Sequence, residues 1–356
     1  QNNVQGASDA GLIPMVYPDY RSVEDPEVRA QYEEFWGTQL DPKRGLTVVE
    51  IVNAIIDGQI KAMYVQGENP AMSDPDQHHA REALATLEHL VVQDIFLTET
   101  AWHADVVLPA SAHGETVGTY TNTNRQIQMG RPAVPTPGEA RQDWELIQEI
   151  AQRIGLDWTY SHPSEVFTEM GQIMPSLANI SWERVDREDC VTYPSDAPDK
   201  PGNEVLFGEK FPTKDGRARI VPAGLVPPDE LLDEAYPMVL TTGRMLEHCH
   251  TCALTRRSRV LDSIEPEAVA CLNPRDIERM GIEAGDQVQV ATRRGAITLI
   301  ARRDRDVPEG MVFIPFCFNE AAANLLTNPQ LDPVGKIPEF KFCAAKVEPA
   351  QALAAE

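Results

Sequence analysis

The segment 242–251, with the sequence TGRMLEHCHT, concentrates side chains that can bind anions and the edges of heterocyclic rings. Arg244, His248, His250 and Thr251 all lie in it. An arginine can hold a pyrophosphate through its planar guanidinium, and histidine and threonine can hydrogen-bond a polar ring edge. The alternative is the end of a helix or strand with solvated side chains. The segment is therefore a candidate site for a ligand that carries a pyrophosphate and a polar ring.

Cys249 and Cys252 form a C-x-x-C pair flanked by histidines, which invites a metal-site interpretation. Structural zinc sites normally have a second pair of ligands at comparable spacing, and none follows in this sequence. The six cysteines are scattered along the chain and contain no iron–sulfur run. We therefore expect no metal site at this pair, and the cysteine usage fits a reducing compartment.

Polar side chains also follow two predicted strands and lie near the start of a predicted helix. Asn69 lies in the sequence GENP, Asp94 ends an apolar run, and Asp143 lies near the start of a helical segment. Asparagine offers both a donor and an acceptor, and an aspartate at the end of a parallel strand suits a ribose. The alternatives are an Asn-Pro turn, a strand-end turn and a helix cap.

The elements that position these residues alternate between helix and strand. Thr47 and Glu50 form a capping box, after which apolar residues follow at helical spacing up to Gly58. Short apolar strands are predicted at 60–65, 90–92 and 105–108, with helices at 80–90 and 98–103 between them. Another helix is predicted at 141–154, with Trp144 and Ile147 on its apolar face. Such alternation indicates an α/β fold with a parallel sheet, whose ligands lie beyond the carboxyl ends of the strands.

The pattern changes in the second half. Residues 156–235 are predicted to form a connector with short helices and without evident chemistry. Residues 236–350 are predicted to form a mostly β domain, and we expect it to be a closed barrel. Its predicted elements are a strand at 237–242, a helix starting at Asn273-Pro274 and a hairpin over 287–303. The first domain is predicted to span 1–155.

The net charge and the hydropathy of the chain limit the kinds of partner that it can bind. The formal net charge of −24 repels nucleic acid and anionic membrane surfaces, while 42% hydrophobic residues permit packed cores. No apolar run approaches the roughly 20 residues of a membrane-spanning helix. We expect a cytoplasmic location. The polar start QNNVQG suggests the cut edge of a longer chain, incomplete on its N-terminal side.

Four blocks in order resemble the molybdopterin oxidoreductases: QNNVQGASD at 1–9, TGRMLEHCHT at 242–251, AAAN at 321–324 and PEFK at 338–341. The first block looks like the formate dehydrogenase branch, so the chain resembles the C-terminal half of a large (alpha) subunit. Nitrate reductases of the same family are an alternative, as is a scaffold subunit that keeps the fold without the pterin. The scaffold would predict the loss of Asp94, Asp143, Arg244, His250 and Asn324, which are all present.

The resemblance implies the cofactor bis(molybdopterin guanine dinucleotide) around molybdenum or tungsten. A carboxylate can accept both adjacent N–H donors of guanine, which suits Asp94 and Asp143. The family's cofactor contacts map onto Asn69, Gln93, Asp94, Thr116, Asp143, Thr242, Gly243, Arg244, His248, His250, Thr251, Phe316, Asn324 and Lys341. Thr116 stands where relatives often have Lys or His, and Cys249 where they often have Trp. Gln1 would lie closest to the metal, as the catalytic residue of this chain.

The implied reaction is the two-electron oxidation of formate to CO2, with electrons passing through the metal to Fe–S clusters. The Cys or selenocysteine that ligates the metal, a His, an Arg and the Fe–S ligands would belong to the N-terminal remainder of the subunit. Electron-transfer subunits are further expected partners. The sequence leaves open molybdenum or tungsten and the final electron acceptor.

Overall fold

The fold is described from a computed structural model, over residues 3–350. The chain forms two compact units built from interleaved segments. Unit 1 comprises 1–46 and 109–224, and unit 2 comprises 47–108 and 225–356. The sequence-based segments 1–155, 156–235 and 236–350 run continuously along the chain. That these segments are the bounds of the cofactor-binding domains stays a prediction.

Ten α-helices lie between residues 3 and 350. They are α1 (Val4–Asp9), α2 (Pro26–Trp36), α3 (Val48–Ile56), α4 (Pro70–Ser73), α5 (Gln77–Thr86), α6 (Asp143–Arg153), α7 (Pro163–Ile173), α8 (Trp182–Glu188), α9 (Arg259–Ile264) and α10 (Pro274–Met280). No helix in this described part of the chain is both long and apolar enough to cross a bilayer.

The same residues contain sixteen strands. They are β1 (Val16–Tyr17), β2 (Arg21–Ser22), β3 (Ala62–Gln66), β4 (His89–Asp94), β5 (Val106–Pro109), β6 (Gly118–Thr121), β7 (Gln126–Gly130), β8 (Cys190–Thr192), β9 (Met238–Gly243), β10 (Val269–Leu272), β11 (Gln287–Ala291), β12 (Ala296–Arg303), β13 (Met311–Pro315), β14 (Asn328–Leu331), β15 (Pro338–Glu339) and β16 (Cys343–Pro349).

The first part of unit 2 is an α/β layer. Strands β3, β4 and β5 form one sheet in that order, and β3 pairs with β4 in parallel, as predicted. Val65 lies opposite Val92, and both side chains are buried in the core of this layer. Helix α3 begins where the capping box predicted: the Thr47 N–H and hydroxyl both donate to the Glu50 carboxylate, at 2.9 and 2.8 Å.

The second part of unit 2 is a closed six-stranded barrel, which confirms the predicted fold class. The strand order is β10-β12-β11-β16-β9-β13, closed by β13 against β10. The predicted hairpin is β11 and β12, paired antiparallel. Val288 and Val290 are fully buried while Gln287 and Gln289 are exposed, so the alternation of the sequence separates core from solvent. The barrel therefore has its own core.

Unit 1 contains structure that the sequence patterns did not reveal. Strands β6, β7 and β8 form an antiparallel sheet, and β8 comes from the segment predicted to be a connector. Ile127 of β7 and Phe167 of α7 are buried in the same core cluster. A second cluster stacks Tyr17 on Tyr32, with ring centroids 4.6 Å apart. The 156–235 segment is thus partly built into the packed body of unit 1.

Two predicted helices differ from the structure in detail. The helix predicted at 80–90 is α5, which begins at Gln77 and ends at Thr86 before the extended residue Leu87. On α6 the buried side chains are Leu146 and Ala151, whereas Ile147 is exposed. The predicted apolar face of α6 was therefore wrong at Ile147, because the pattern did not fix which stripe packs inward.

Candidate functional site

The carboxyl ends of β3 and β4 lie side by side. Gln66 is paired with Gln93, and the Gly67 N–H donates to the Gln93 carbonyl at 2.9 Å. Gly67 has a φ of 60°, a left-handed conformation that glycine adopts without steric cost. The loops that carry Asn69 and Asp94 consequently begin at one edge of the sheet.

The side chains at this edge already have protein partners. The Asn69 oxygen accepts from the Thr100 N–H and hydroxyl at 3.1 and 2.8 Å, while its nitrogen donates to Glu99 at 2.7 Å. Gln93 is fully buried and accepts from the Tyr64 hydroxyl. Asp94 accepts from the Ile95 N–H at 2.6 Å and is half-buried. Asn69 thus holds the loop 67–70 against the segment around Thr100.

A second group of polar residues forms where β9 ends. A side chain at Gly243 would come within 2.3 Å of the Phe313 ring, so the strand end requires glycine. The Lys341 ammonium donates to the Thr242 carbonyl at 2.7 Å. Burial and the positive charge of Arg244 lower the pKa of Lys341. Two cations are therefore held near each other at the end of this strand.

His250 and Phe316 complete the group, which we call the Arg244 cluster: Arg244, His250, Phe316 and Lys341. His250 has a φ of 52°, and its ring packs edge-on against Phe316 at a centroid distance of 5.5 Å. The Lys341 ammonium lies 6.0 Å from the same ring centroid. Burial lowers the pKa of His250, opposed by the negative charge of Glu68. The lowered pKa favours the neutral ring, which offers one donor and one acceptor.

Two other predicted contacts of unit 2 bond protein groups, and a third is buried. His248 is buried: its Nε2 donates to the Glu265 carbonyl at 2.8 Å, and its Nδ1 lies 3.3 Å from the Thr255 hydroxyl. The Asn324 nitrogen donates to the Met72 and Ser73 carbonyls at 3.1 and 2.9 Å. Thr251 is also buried. His248 and Asn324 therefore support the surrounding loops, and their predicted contacts with a cofactor stay predictions.

Two predicted site residues lie together in unit 1. The Thr116 hydroxyl bonds the side chain of Gln142, which caps α6, and Asp143 is the exposed first residue of that helix. Burial raises the pKa of Tyr120, and the negative charge of Asp143 raises it further. Gln1, predicted to approach the metal, lies outside the described residues 3–350.

The structure separates the C-x-x-C pair. Cys249 is exposed, whereas Cys252 is buried in the same core cluster as Cys317, which lies far along the chain. The Cys317 thiol stabilises the Cys252 thiolate and so lowers the pKa of Cys252. Over residues 3–350, no group of three or more His, Cys, Asp or Glu residues is placed to hold a metal ion.

The sequence patterns also missed Asp74, which follows α4. Its side chain is buried, and desolvation raises its pKa to about 7. The carboxylate of Glu68 adds to this increase. Nothing in the sequence distinguishes Asp74 from an ordinary turn residue, since burial there depends on packing.

Two protein-family models match the chain. The model described as molybdopterin oxidoreductase matches residues 3–153, and the model described as molydopterin dinucleotide binding domain matches residues 238–344. The chain belongs to the molybdopterin oxidoreductase family. The Arg244 cluster falls within the second match, while Asn69, Asp94 and Asp143 fall within the first.

Several curated relatives are named formate dehydrogenases. The chain is 44% identical over 350 residues to "F420-dependent formate dehydrogenase 1 subunit alpha" of Methanococcus maripaludis, covering 98% of this chain and 51% of the relative. It is 35% identical to "Formate dehydrogenase H" of Escherichia coli, covering 98% of this chain and 49% of the relative. The chain thus spans about half the length of the curated relatives it matches.

A solved structure confirms the fold of this molybdopterin oxidoreductase chain. Acetylene hydratase from Pelobacter acetylenicus superposes with a TM-score of 0.71 at 21% sequence identity. The match covers 91% of this chain and 50% of that chain.

Proposed function

We propose that the chain is the C-terminal, cofactor-binding part of a formate dehydrogenase catalytic subunit. Its Arg244 cluster receives a phosphate-bearing part of bis(molybdopterin guanine dinucleotide). The formate dehydrogenase names of relatives that match 98% of the chain support this assignment. Because the chain spans about half of those relatives, the remainder of the subunit is expected to supply the metal ligand and the Fe–S clusters.

The Arg244 cluster is the observation that carries the proposal. Burial and, to a lesser degree, the positive charge of Arg244 both disfavour the charged form of Lys341, and its pKa is lowered accordingly. A bound pyrophosphate would offset the repulsion between the two cations, and the planar guanidinium of Arg244 suits its oxygens. The rest of the chain is acidic, with a net charge of −24, so this local pair of cations is an exception to the overall field.

Other predicted site residues suit the other parts of such a ligand. Neutral His250 can donate to and accept from a pterin edge, and the Phe316 ring packs beside it. The carboxylates of Asp94 and Asp143 suit the paired donors of guanine. Asn69 and Asn324 act indirectly in this proposal, because their hydrogen bonds hold the loops that carry the contacting groups.

The bound metal–pterin group would supply the two-electron oxidation of formate to CO2. The residues of this chain would bind and orient it: Arg244 and Lys341 neutralise phosphate charge, while His250 fixes the orientation of a ring. Electrons would leave through Fe–S clusters to partner subunits. The protein's contribution is thus positioning and electrostatics.

A scaffold subunit without pterin is the second candidate function. Asn324 does not separate the two candidates, because its bonds to α4 would be retained in either. Arg244 and Lys341 do separate them, since only the cofactor-binding candidate places a phosphate against these two cations. The scaffold predicts that neutralising both has no effect on cofactor content.

The test is the double variant Arg244→Ala/Lys341→Ala of the full-length subunit. Each charge-assisted hydrogen bond contributes about 1.5–3 kcal/mol, so cofactor affinity should fall by at least about tenfold per lost contact. Pterin released from the purified protein and its molybdenum or tungsten content should both drop, together with formate-dependent dye reduction. Arg275→Ala, an exposed arginine of α10 paired with Glu309, is the matched control. Undiminished pterin and metal in the double variant would refute the proposal.

A further inference from the structure

Three sulfur-containing side chains from separate segments meet inside unit 2. Met245 follows β9, Cys252 lies in the next loop, and Cys317 follows β13. The Cys317 sulfur lies 3.6 Å from the Met245 sulfur, and the Cys252 thiol is its neighbour in the same buried cluster and lines the same cavity. Both cysteines are 4% exposed. Cys317 thus has two other sulfur-containing side chains as neighbours, and we call these three residues the sulfur cluster.

The spacing suits a soft metal ion. Sulfur binds such ions at about 2.3 Å, so three sulfurs around one ion in a trigonal plane lie about 4 Å apart. The separation of Met245 and Cys317 is within a few tenths of an ångström of that value. Thiolate and thioether together select Cu(I) over harder divalent ions.

The backbone holds the sulfur cluster in place. The Cys252 N–H donates to the Cys249 carbonyl at 3.0 Å, with Cys252 in the left-handed region at a φ of 62°. The Phe316 N–H donates to the Gly243 carbonyl at 3.2 Å, which ties the segment before Cys317 to the end of β9. An ion would therefore meet a largely preformed site.

A cavity leads to the two thiols. It has a volume of about 260 Å³, and its lining includes Thr251, Cys252, Arg256, Cys317 and Asn319. The thiols are thus buried from bulk solvent but open to a cavity wide enough for an ion and its carrier ligand. A purely structural cysteine has no need of such access.

Another buried cysteine, Cys343, has the surroundings of a structural residue and not of a metal ligand. The Cys343 sulfur donates to the Glu339 carbonyl at 3.3 Å and lies the same distance from the Asn328 N–H, so backbone groups surround it. It fills the core and links β15 to β16. Cys317 differs because its sulfur faces other sulfurs.

We propose that Met245, Cys252 and Cys317 bind one Cu(I) ion. The ion enters already reduced, so binding transfers no electron. The two thiol protons are released to solvent as the two copper–thiolate bonds form, and the thioether supplies the third bond. Its ligands are different residues from those of the Arg244 cluster, although Met245 directly follows Arg244 and Cys317 directly follows Phe316.

The experiment is an anaerobic titration of the full chain with Cu(I), in competition with a chromophoric Cu(I) chelator. We expect one equivalent to be retained and X-ray absorption to show sulfur ligands at about 2.3 Å. Cys252→Ala and Cys317→Ala should abolish this equivalent, and Met245→Leu should weaken it by about tenfold. Cys190→Ser and Cys249→Ser are matched controls, because these two thiols are exposed and should have no effect.

Met245→Leu conserves volume and should fold, so it tests the proposal even if a cysteine variant does not. Ag(I) serves as a redox-inert substitute for Cu(I) in the same titration. Binding that survives Cys317→Ala or Met245→Leu unchanged would overturn the proposal. So would binding lost in Cys249→Ser, or a thiol count showing that copper has oxidised the pair to a disulfide.

Discussion

His248 and His250 stand two positions apart in one loop, yet they have different physical roles. His248 uses both ring nitrogens on groups of the protein itself. His250 lies beside Phe316 with Arg244 and Glu68 as its charged neighbours. Both were predicted to have the same role, because spacing along the chain does not tell which way a side chain turns. The backbone at His250 has a left-handed conformation.

Asp143 gives a direct test of guanine recognition. If its carboxylate accepts two guanine donors, Asp143→Ala in the full-length subunit should lower pterin and metal content, because about 1.5–3 kcal/mol is lost per bond. Asp143→Asn should also lower it, since an amide cannot accept both donors in this way. Asp157→Ala, at an exposed position beyond the end of α6, is the control. Wild-type cofactor content in both Asp143 variants would exclude this role.

Asp74 should make unit 2 less stable as pH rises. Its folded-state pKa, raised by burial to about 7, lies above its unfolded value. Its contribution is therefore fully present below about pH 4 and is lost as pH rises through about 7, at about 1.4 kcal/mol per pH unit within that window. Urea unfolding from pH 4 to 8 should show this slope in the wild type, and Asp74→Asn should flatten it. Equal slopes in the two proteins would contradict the burial argument.

At the scale of elements, the sequence predicted a helix start correctly where a capping residue was followed by an amphipathic run. The capping box at Thr47 and the Asn-Pro start at 273 each combine a cap with an amphipathic run, and both helices form there. The sheet β6-β7-β8 has no comparable signal, because its strands are short and polar and one of them comes from a distant segment. Its core forms only when α7 and α8 pack on it.

The residues of the candidate site were partly predictable from the sequence, but their long-range contacts were not. Residue types and motif order pointed to Arg244, His250 and Lys341, which do lie together. The patterns could not show that Asn324 bonds the carbonyls of α4, because that contact joins segments far apart in sequence. The pairing of Cys252 with Cys317 was hidden for the same reason.

Asn273 should contribute measurably to the barrel through α10. Its oxygen accepts from the Arg275 N–H at 3.0 Å, and its nitrogen donates to the Val307 carbonyl at 2.8 Å. Asn273→Ala should destabilise unit 2 by about 2 kcal/mol, about half from the cap and half from the second bond. Asn273→Asp keeps the cap but cannot donate, so denaturant unfolding should place it between the two. An alanine variant as stable as wild type would show that the helix start does not depend on this cap.

At the scale of the molecule, the interleaving of segments places two of the predicted ligand-binding loops in one unit. Residues 47–108 and 225–356 fold into one compact unit, so the strand-end loop at Asn69 and the Arg244 cluster belong to the same body. The sequence-based segmentation placed them in successive domains, because periodicity indicates local helices and strands but not which distant segments pack together. In the folded unit the negative charge of Glu68, from the first segment, acts on His250, from the second.

Salt should stabilise the whole chain. There are 55 acidic and 31 basic residues, so 24 acidic groups would remain even if every lysine and arginine paired with one acid. Exposed pairs such as Arg131 with Asp186 contribute little and lose little when screened, whereas repulsion among the excess carboxylates acts over the whole surface. Raising NaCl from about 0.01 to about 0.1 M shortens the screening length from about 30 to about 10 Å, so the melting temperature should rise. Changing the exposed Glu24 and Glu34 to glutamine should raise it more at low salt than at high salt. A melting temperature that falls with added salt would show that local ion pairs outweigh the repulsion of the excess charge.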